Sequence, residues 1–284
     1  MSTGRWWREV GWRHGVGLVA VLFAVVPVAY VVSAAFNPLG TVASTGVIPK
    51  HLSLENFAAL FDDPARPFAR WLLNTLVVCV VVTGVQVFCS ALAAYAFSRL
   101  RFRGRRGGQL SLLLIQMFPQ FLAVIALYSM FTAIGEVVPA LGLNTLLGYS
   151  LVLLGGSLGQ VWLIKGFFDT IPRQLDEAAV VDGAGHATIF FRIILPLARP
   201  VLAVTGLLAF VSVIGEFLMA SIFLTDTQAK TLAVGLYGII AADRSNNLGV
   251  FAAGALLTAL PVVLLFQFLQ RYIVGGLTSG SVKD

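Results

Sequence analysis

Six apolar runs, each long enough to cross a lipid bilayer as an α-helix, constrain this 284-residue chain more than any other feature. The hydrocarbon core of a bilayer is ~30 Å thick, and about 20 apolar residues in a helix span it. The runs are longer and more continuous than the strands of an outer-membrane barrel, in which apolar and polar residues alternate. We therefore predict an all-α membrane protein with six transmembrane helices. The runs cover approximately residues 16–36, 71–97, 109–133, 148–168, 200–223 and 250–272.

Charge sets the expected orientation of these helices. Charged residues make up only 11 % of the chain, and short loops rich in lysine and arginine stay in the cytoplasm. With the N-terminus inside, the 19 lysine and arginine residues are cytoplasmic except Lys50, Arg66, Arg70, Lys230 and Arg244. A multi-pass protein with cytoplasmic N- and C-termini is therefore predicted. The net charge of +6 then reflects topology and contact with anionic membrane lipid, and not nucleic-acid binding.

Three parts are predicted along the chain. Residues 1–70 form a cytoplasmic leader, the first transmembrane helix and an external loop. Residues 71–273 form a core of five helices with a cytoplasmic loop at 169–199, and residues 274–284 form a cytoplasmic tail. The sequence has no internal repeat, so it does not contain both halves of a pseudo-symmetric transporter.

Enzyme motifs are missing or out of context. The sequence has no phosphate-binding G-x-x-x-x-G-K-[ST] motif, no H-E-x-x-H and no Cys/His cluster, so we expect no ATP hydrolysis, no metal and no cofactor on this chain. The pattern G-x-S-x-G occurs at 155–159, but we expect it inside a transmembrane helix, where it cannot form the strand-to-helix turn of a hydrolase. Close helix packing at Gly155 and Gly159 is the better interpretation. No catalytic residue is predicted.

Glu216 is the one carboxylate well inside a predicted span. A charge facing lipid is costly, so Glu216 should face a polar pathway, a partner chain or a hydrogen-bonding helix. A secondary transporter driven by protonation of Glu216 is the alternative function. It would require paired ionisable groups at the midplane and broken helices in matching halves, and the sequence indicates neither.

The segment 173–196 is unusually polar for its place between two apolar runs. Leu175, Ala178, Ala179 and Asp182 share one face of a predicted helix. Gly183 should end that helix by taking a positive φ. A second short helix should follow and end at Pro196. Acidic groups beside a face of small residues favour insertion into a protein groove over contact with lipid.

This segment resembles the EAA signature of bacterial ABC-importer permeases. Glu177-Ala178-Ala179 is followed after three residues by Gly183 and after nine more by Ile193-x-Leu195-Pro196. "QMFP" (116–119), "GLNT" (142–145), "IKGFFDTIP" (164–172) and "TLAVGL" (231–236) are similar to the G-type permease of maltose and maltodextrin importers. The resemblance implies a type I ABC importer permease (MetI-like) fold.

The resemblance also implies function and partners. It implies an inner-membrane permease subunit of an ATP-driven, binding-protein-dependent sugar importer, with maltose or malto-oligosaccharide as first choice and trehalose or another glucoside as second. The implied partners are an F-type permease, an ATPase homodimer that holds ATP and Mg, and an extracytoplasmic sugar-binding protein. Asp243, Arg244, Ser245, Asn246 and Asn247 are expected to contact the binding protein.

The loop 169–199 would then be a coupling loop that transmits closure of the ATPase to the membrane helices. The residues expected to carry this coupling are Glu177, Ala178, Ala179, Asp182, Gly183, Ala184, Phe190, Ile193, Leu195 and Pro196.

Overall fold

The computed structural model describes residues 10–38 and 52–278, the side chains of residue 120 and of residues 274–278 excepted. This part of the chain consists of helices joined by turns and contains no strand. The residues of the predicted leader before residue 10, of the external loop at 39–51 and of the tail after residue 278 lie outside it.

Thirteen helices follow one another along the described residues, with short 3-10 helices at Gln120–Ala123 and Pro139–Leu141 in addition. The thirteen helices are α1 (Trp12–Phe36), α2 (Glu55–Asp62), α3 (Phe68–Arg99), α4 (Arg105–Met117), α5 (Val124–Val137), α6 (Leu146–Leu154), α7 (Val161–Thr170), α8 (Gln174–Val181), α9 (His186–Leu197), α10 (Arg199–Ile214), α11 (Leu218–Phe223), α12 (Leu232–Ala242) and α13 (Arg244–Thr278).

Only some of the predicted spans are single helices. Helices α1, α3 and α13 are long and apolar enough to cross a membrane without a break. The predicted span 109–133 is bent by 75° between α4 and the helical segment Phe121–Val137. The chain also bends by 78° between α9 and α10. The predicted span 200–223 is divided into α10 and α11 at residues 215–217.

The predicted span 148–168 is also divided, by a turn at residues 155–160 between α6 and α7. The expectation that Gly155 and Gly159 lie inside a helix is therefore wrong. A break at membrane depth is tolerated only where other groups bond the freed backbone. Gln86 Nε2 donates to the Leu153 carbonyl at 2.9 Å, Gln116 Nε2 donates to that of Leu158 at 3.3 Å, and Ser90 Oγ donates to that of Ser157.

The chain divides into two compact units. One comprises the described residues up to Ala69 together with Gly235–Ala259, and the other comprises Arg70–Val234 and the described residues from Leu260. The first unit has a core of small residues, Ala34, Ala35, Ala252 and Ala253. The second has two apolar clusters, one around Tyr149 and Phe223 and one around Phe168 and Ile194.

Asn56 closes the end of α1 in the first unit. Its buried Nδ2 donates to the carbonyls of Ala35 at 3.0 Å and Asn37 at 2.8 Å, and more weakly to that of Ala34 at 3.4 Å. The last carbonyls of a helix have no partner within the helix, so this amide satisfies groups that would otherwise be buried and unpaired. Gly249 lies against the amide, where an added Cβ would approach its atoms within 2.5–2.7 Å.

We predict that Asn56→Leu destabilises the protein by about 1–3 kcal/mol, because it leaves buried carbonyls without a donor. Thermal unfolding of the purified protein in detergent measures the effect. Ser212→Ala, at an exposed position on α10, serves as the control and should leave the melting temperature unchanged. An Asn56→Leu protein as stable as the control would show that the amide does not hold α1.

Candidate functional site: the coupling segment

The coupling segment, residues 169–199, contains the polar stretch 173–196 that separates two apolar runs of the sequence. Helix α8 begins after Arg173, whose carbonyl accepts from the amides of Asp176 and Glu177 at 3.0 Å. Both acidic side chains lie in the first turn, where the helix dipole stabilises negative charge. Ala179 faces inward and is buried, whereas Glu177 and Ala178 are exposed.

Gly183 ends α8 in the way that the sequence predicts. Its φ is +82°, a conformation that side-chain-bearing residues rarely adopt. The Ala184 amide donates to the Ala179 carbonyl at 2.8 Å, and the Gly183 amide donates to that of Val180 at 3.0 Å. This pair of bonds is a Schellman motif, which fixes the direction in which the chain leaves the helix.

Helix α9 packs its apolar side against the rest of the second unit. Ile189, Phe190 and Ile194 are buried, and the Phe190 ring lies 5.1 Å from that of Tyr95 on α3. The predicted stop at Pro196 lies one residue before the observed end of the helix. A π-helical turn over Phe190–Ile194 precedes the proline, and α9 continues to Leu197 before the bend into α10.

A buried ion pair anchors α8 to the end of α3. Arg99 Nε lies 2.8 Å from Asp176 Oδ2, with the two side chains 6 % and 17 % exposed. Arg99 also donates through Nη2 to the Ile171 carbonyl at 2.8 Å. In return, Arg173 Nη2 donates to the Ser98 carbonyl at 3.0 Å. Sequence reasoning missed Arg99, because the arginine is 77 positions from its partner and looked like one more cytoplasmic charge.

A second polar contact holds α7 to the same end of α3. Ser98 Oγ donates to Asp169 Oδ1 at 2.6 Å, and Lys165 Nζ lies 2.5 Å from Asp169 Oδ2. Partial burial raises the pKa of Asp169, but the hydrogen bonds from Lys165 and Ser98 and the charge of Arg105 outweigh it, so the pKa lies below its ordinary value. The carboxylate therefore stays ionised and bridges the two helices at neutral pH.

The structure therefore brings the predicted coupling residues together in one compact segment. Part of the set is inward and packs, namely Ala179, Phe190 and, less completely, Ala184, Ile193, Leu195 and Pro196. Glu177, Ala178, Asp182 and Gly183 are exposed and form an outer surface. The outer surface of α8 also exposes Val180 and Val181, so it offers carboxylates, small residues and apolar groups to another protein.

Glu216 has a local hydrogen-bonding role that the sequence left open. Its carboxylate accepts from the amides of Met219 at 2.8 Å and Ala220 at 2.9 Å, at the start of α11. Tyr149 on α6 donates its hydroxyl to the same carboxylate at 2.6 Å. Glu216 thus binds the free amides at the helix break and ties α6 to α11.

Asp243 marks a sharp corner between α12 and α13. The stretch 224–249 between the last two predicted spans is not an irregular loop, because α12 and the first turn of α13 fall within it. Asp243 Oδ1 accepts from the amides of Ser245 and Asn246 at 3.0 and 3.1 Å, as an N-cap does. The bonds from Asn246 and Ser245 lower the pKa of Asp243. Asn247 Nδ2 donates back to the Ile239 carbonyl at 2.9 Å.

Metal chemistry finds no support in the described part of the chain, where no group of three His, Cys, Asp or Glu side chains converges. The coupling segment, not a pocket for a cofactor, is the feature that needs an explanation.

Comparison with known families identifies the family of the chain that contains this segment. Residues 86–278 match the model of the family described as "Binding-protein-dependent transport system inner membrane component". The chain belongs to this family. The match covers the coupling segment and most of the helices that position it, which confirms the resemblance and the predicted fold class.

Relatives and solved structures agree with this membership. The chain is 40 % identical to a maltose/maltodextrin transport system permease of Vibrio vulnificus, over 96 % of this chain and 95 % of the relative. It is 41 % identical to a maltodextrin permease of Bacillus subtilis, over 81 % of each chain. Its fold is similar to a chain of a bacterial ABC transporter that imports alginate, with a TM-score of 0.75 at 23 % identity over 94 % and 98 % of the two chains. The protein is thus a type I ABC importer permease in fold, and a permease subunit of this family leaves ATP hydrolysis to a separate subunit.

We predict that Arg99→Met destabilises this permease by roughly 3–5 kcal/mol, because it leaves Asp176 buried without its partner. Asp176→Leu should act similarly, and the double variant should recover much of the loss. Thermal unfolding of the four proteins gives the coupling energy. Strictly additive losses would mean that the two side chains do not stabilise each other.

Proposed function

We propose that this chain is the transmembrane permease subunit of an ATP-driven, binding-protein-dependent sugar importer of the bacterial inner membrane. The observation that carries the proposal is the coupling segment itself. Its two helices are joined at Gly183 and anchored inward by Asp176 and Arg99, and Glu177, Ala178 and Asp182 are exposed outward. A segment that is rigid inside and unpartnered outside is suited to receive force from another protein.

The family and the missing internal repeat support three proposed partners. An F-type permease supplies the other half of the pathway, because this sequence has no internal repeat. An ATPase homodimer docks on Glu177, Ala178 and Asp182 and supplies ATP and Mg. An extracytoplasmic binding protein delivers the sugar and contacts the corner at 243–247. In this arrangement both termini and the coupling segment are cytoplasmic.

Maltose or malto-oligosaccharide is the proposed substrate, with trehalose or another glucoside second. Relatives that cover most of this chain are named for maltose and maltodextrin in two species, and this supports the first choice. A relative at 36 % identity is named for galactooligosaccharides. Transport tests should therefore compare malto-oligosaccharides with galactooligosaccharides.

A secondary transporter that uses Glu216 is the weaker candidate. The Glu216 carboxylate already accepts from two backbone amides and from Tyr149, and it binds a helix break, not an ion. We propose that Glu216 shapes the wall of the pathway by holding α6 to α11.

Gly183→Val should uncouple ATP hydrolysis from the sugar-loaded binding protein while the permease remains inserted. Valine at φ +82° is strained by roughly 1–2 kcal/mol, which displaces the outer surface of α8. Gly185→Val is the matched control, since Gly185 also has open space around it but an extended conformation that suits valine. The measurement is ATPase activity of the reconstituted complex with binding protein and malto-oligosaccharide.

Two results would contradict the proposal. Normal stimulation of the Gly183→Val complex would remove the role of the segment in coupling. Stimulation of the wild-type complex by galactooligosaccharide but not by malto-oligosaccharide would keep the coupling role and overturn the substrate.

A further inference from the structure

The turn between α3 and α4 carries a cluster of arginines that the transport function leaves unexplained. Arg101, Arg103, Arg105 and Arg106 lie within six residues, and no hydrogen bond or ion pair holds any of their guanidinium groups in the described part of the chain. The carboxylate of Asp169 attracts Arg105 but is already paired with Lys165. Four neighbouring cations repel one another, so an anion from outside the chain would stabilise the turn.

The same turn forms a concave surface. Arg101, Phe102, Arg105 and Arg106 line a depression of about 360 Å³ together with Gly104 and Gly107. Gly104 has a φ of +86° and turns the chain directly into α4. Two arginines then occupy the first turn of α4, which has no acidic residue and no capping side chain. Cations are unfavourable at this end of a helix dipole, whereas an anion is favourable.

An exposed apolar stripe continues from the arginines along α4. Arg106, Leu110, Leu113, Leu114 and Met117 follow the i, i+4, i+7 spacing that places side chains on one helix face. Leu110, Leu114 and Met117 are 61 %, 67 % and 78 % exposed. A single ligand with an anionic head and an apolar tail would therefore contact both parts of the surface.

The length of the stripe matches one leaflet of a bilayer. Eleven residue steps from Arg106 to Met117 correspond to about 16 Å of helix, and half of the hydrocarbon core is roughly 15 Å. Helix α4 ends at Met117, and the chain then bends by 75°. The stripe is therefore long enough to reach from the headgroups to the middle of a bilayer before the helix breaks.

We propose that the arginine turn and the exposed stripe of α4 bind an anionic phospholipid, in the leaflet next to the coupling segment. The phosphate lies against Arg105, Arg106 and the free amides at the start of α4, and an acyl chain follows Leu110, Leu114 and Met117. The site is on the same end of α3 as Arg99, which anchors α8, so the lipid stabilises the membrane end of the coupling apparatus.

Photoactivatable phosphatidylglycerol, with the reactive group on an acyl chain, tests the site in the complex purified through a tag on this chain. The complex is reconstituted in vesicles of phosphatidylcholine with one-fifth phosphatidylglycerol, and peptides are mapped after irradiation. We expect labelling within residues 105–117. Replacing Arg105 and Arg106 by Gln should lower it about fivefold for each charge removed, and replacing both by Lys should largely preserve it.

Matched controls keep the result interpretable. Arg66→Gln with Arg70→Gln removes the same charge near the opposite end of α3 and should leave the labelling unchanged. Photoactivatable phosphatidylcholine should label the stripe equally in the wild-type protein and in the glutamine variant. Free glycerol phosphate should not reduce the labelling by phosphatidylglycerol.

Equal labelling by both lipids, or competition by glycerol phosphate, would overturn the proposal. So would absence of labelling at 105–117 in the wild-type complex, which would indicate that another protein covers the stripe. A glutamine variant that labels normally but loses the ATPase on purification would assign the arginines to that partner instead.

Discussion

The ion pair between Arg99 and Asp176 is the contact on which the coupling apparatus depends. It joins the last residue of a 32-residue membrane-spanning helix to the first turn of α8 and lies largely out of water. Arg173 and Asp169 add reciprocal contacts at Ser98, so α3, α7 and α8 meet at one point. If the ATPase pushes on the outer surface of α8, as we propose, these contacts would deliver the push to the end of α3.

A second constraint comes from the bilayer, which supplies no water to a broken helix. Two breaks in the second unit are bonded by side chains. Glu216, held by Tyr149, accepts from the amides at the start of α11, and Gln86, Gln116 and Ser90 donate to carbonyls around the turn after α6. These polar groups explain why an apolar chain keeps glutamines and a glutamate within its spans. Segments that pivot at bonded breaks can move as short rigid pieces.

Sequence reasoning predicted the elements that depend on local chemistry. The apolar runs identified the membrane class, the positive φ of Gly183 followed from its place after a short helix, and the EAA spacing identified the family. Sequence reasoning missed the helix breaks and ion pairs that depend on contacts between residues far apart in the chain. An apolar run of 21 residues does not reveal that it is two helices separated by a turn at 155–160, since the donors that permit the break come from α3 and α4. Likewise, nothing near Arg99 in the sequence points to Asp176. The polar residues around Asp243 do not reveal that two helices meet there, because helix caps and loops use the same residue types.

The central claim is that the outer surface of α8 is the point at which the ATPase acts. Ala178 and Ala179 are neighbours of the same size, yet Ala178 is exposed and Ala179 is 8 % exposed. With Cys79 and Cys89 replaced by Ala, single cysteines at these two positions should differ in cross-linking to the ATPase in the assembled complex. The account predicts efficient cross-linking from Ala178→Cys, loss of ATP-driven sugar uptake on cross-linking and its return on reduction, and little reaction from Ala179→Cys. Equal cross-linking from both positions, or full uptake with the Ala178→Cys cross-link in place, would contradict it.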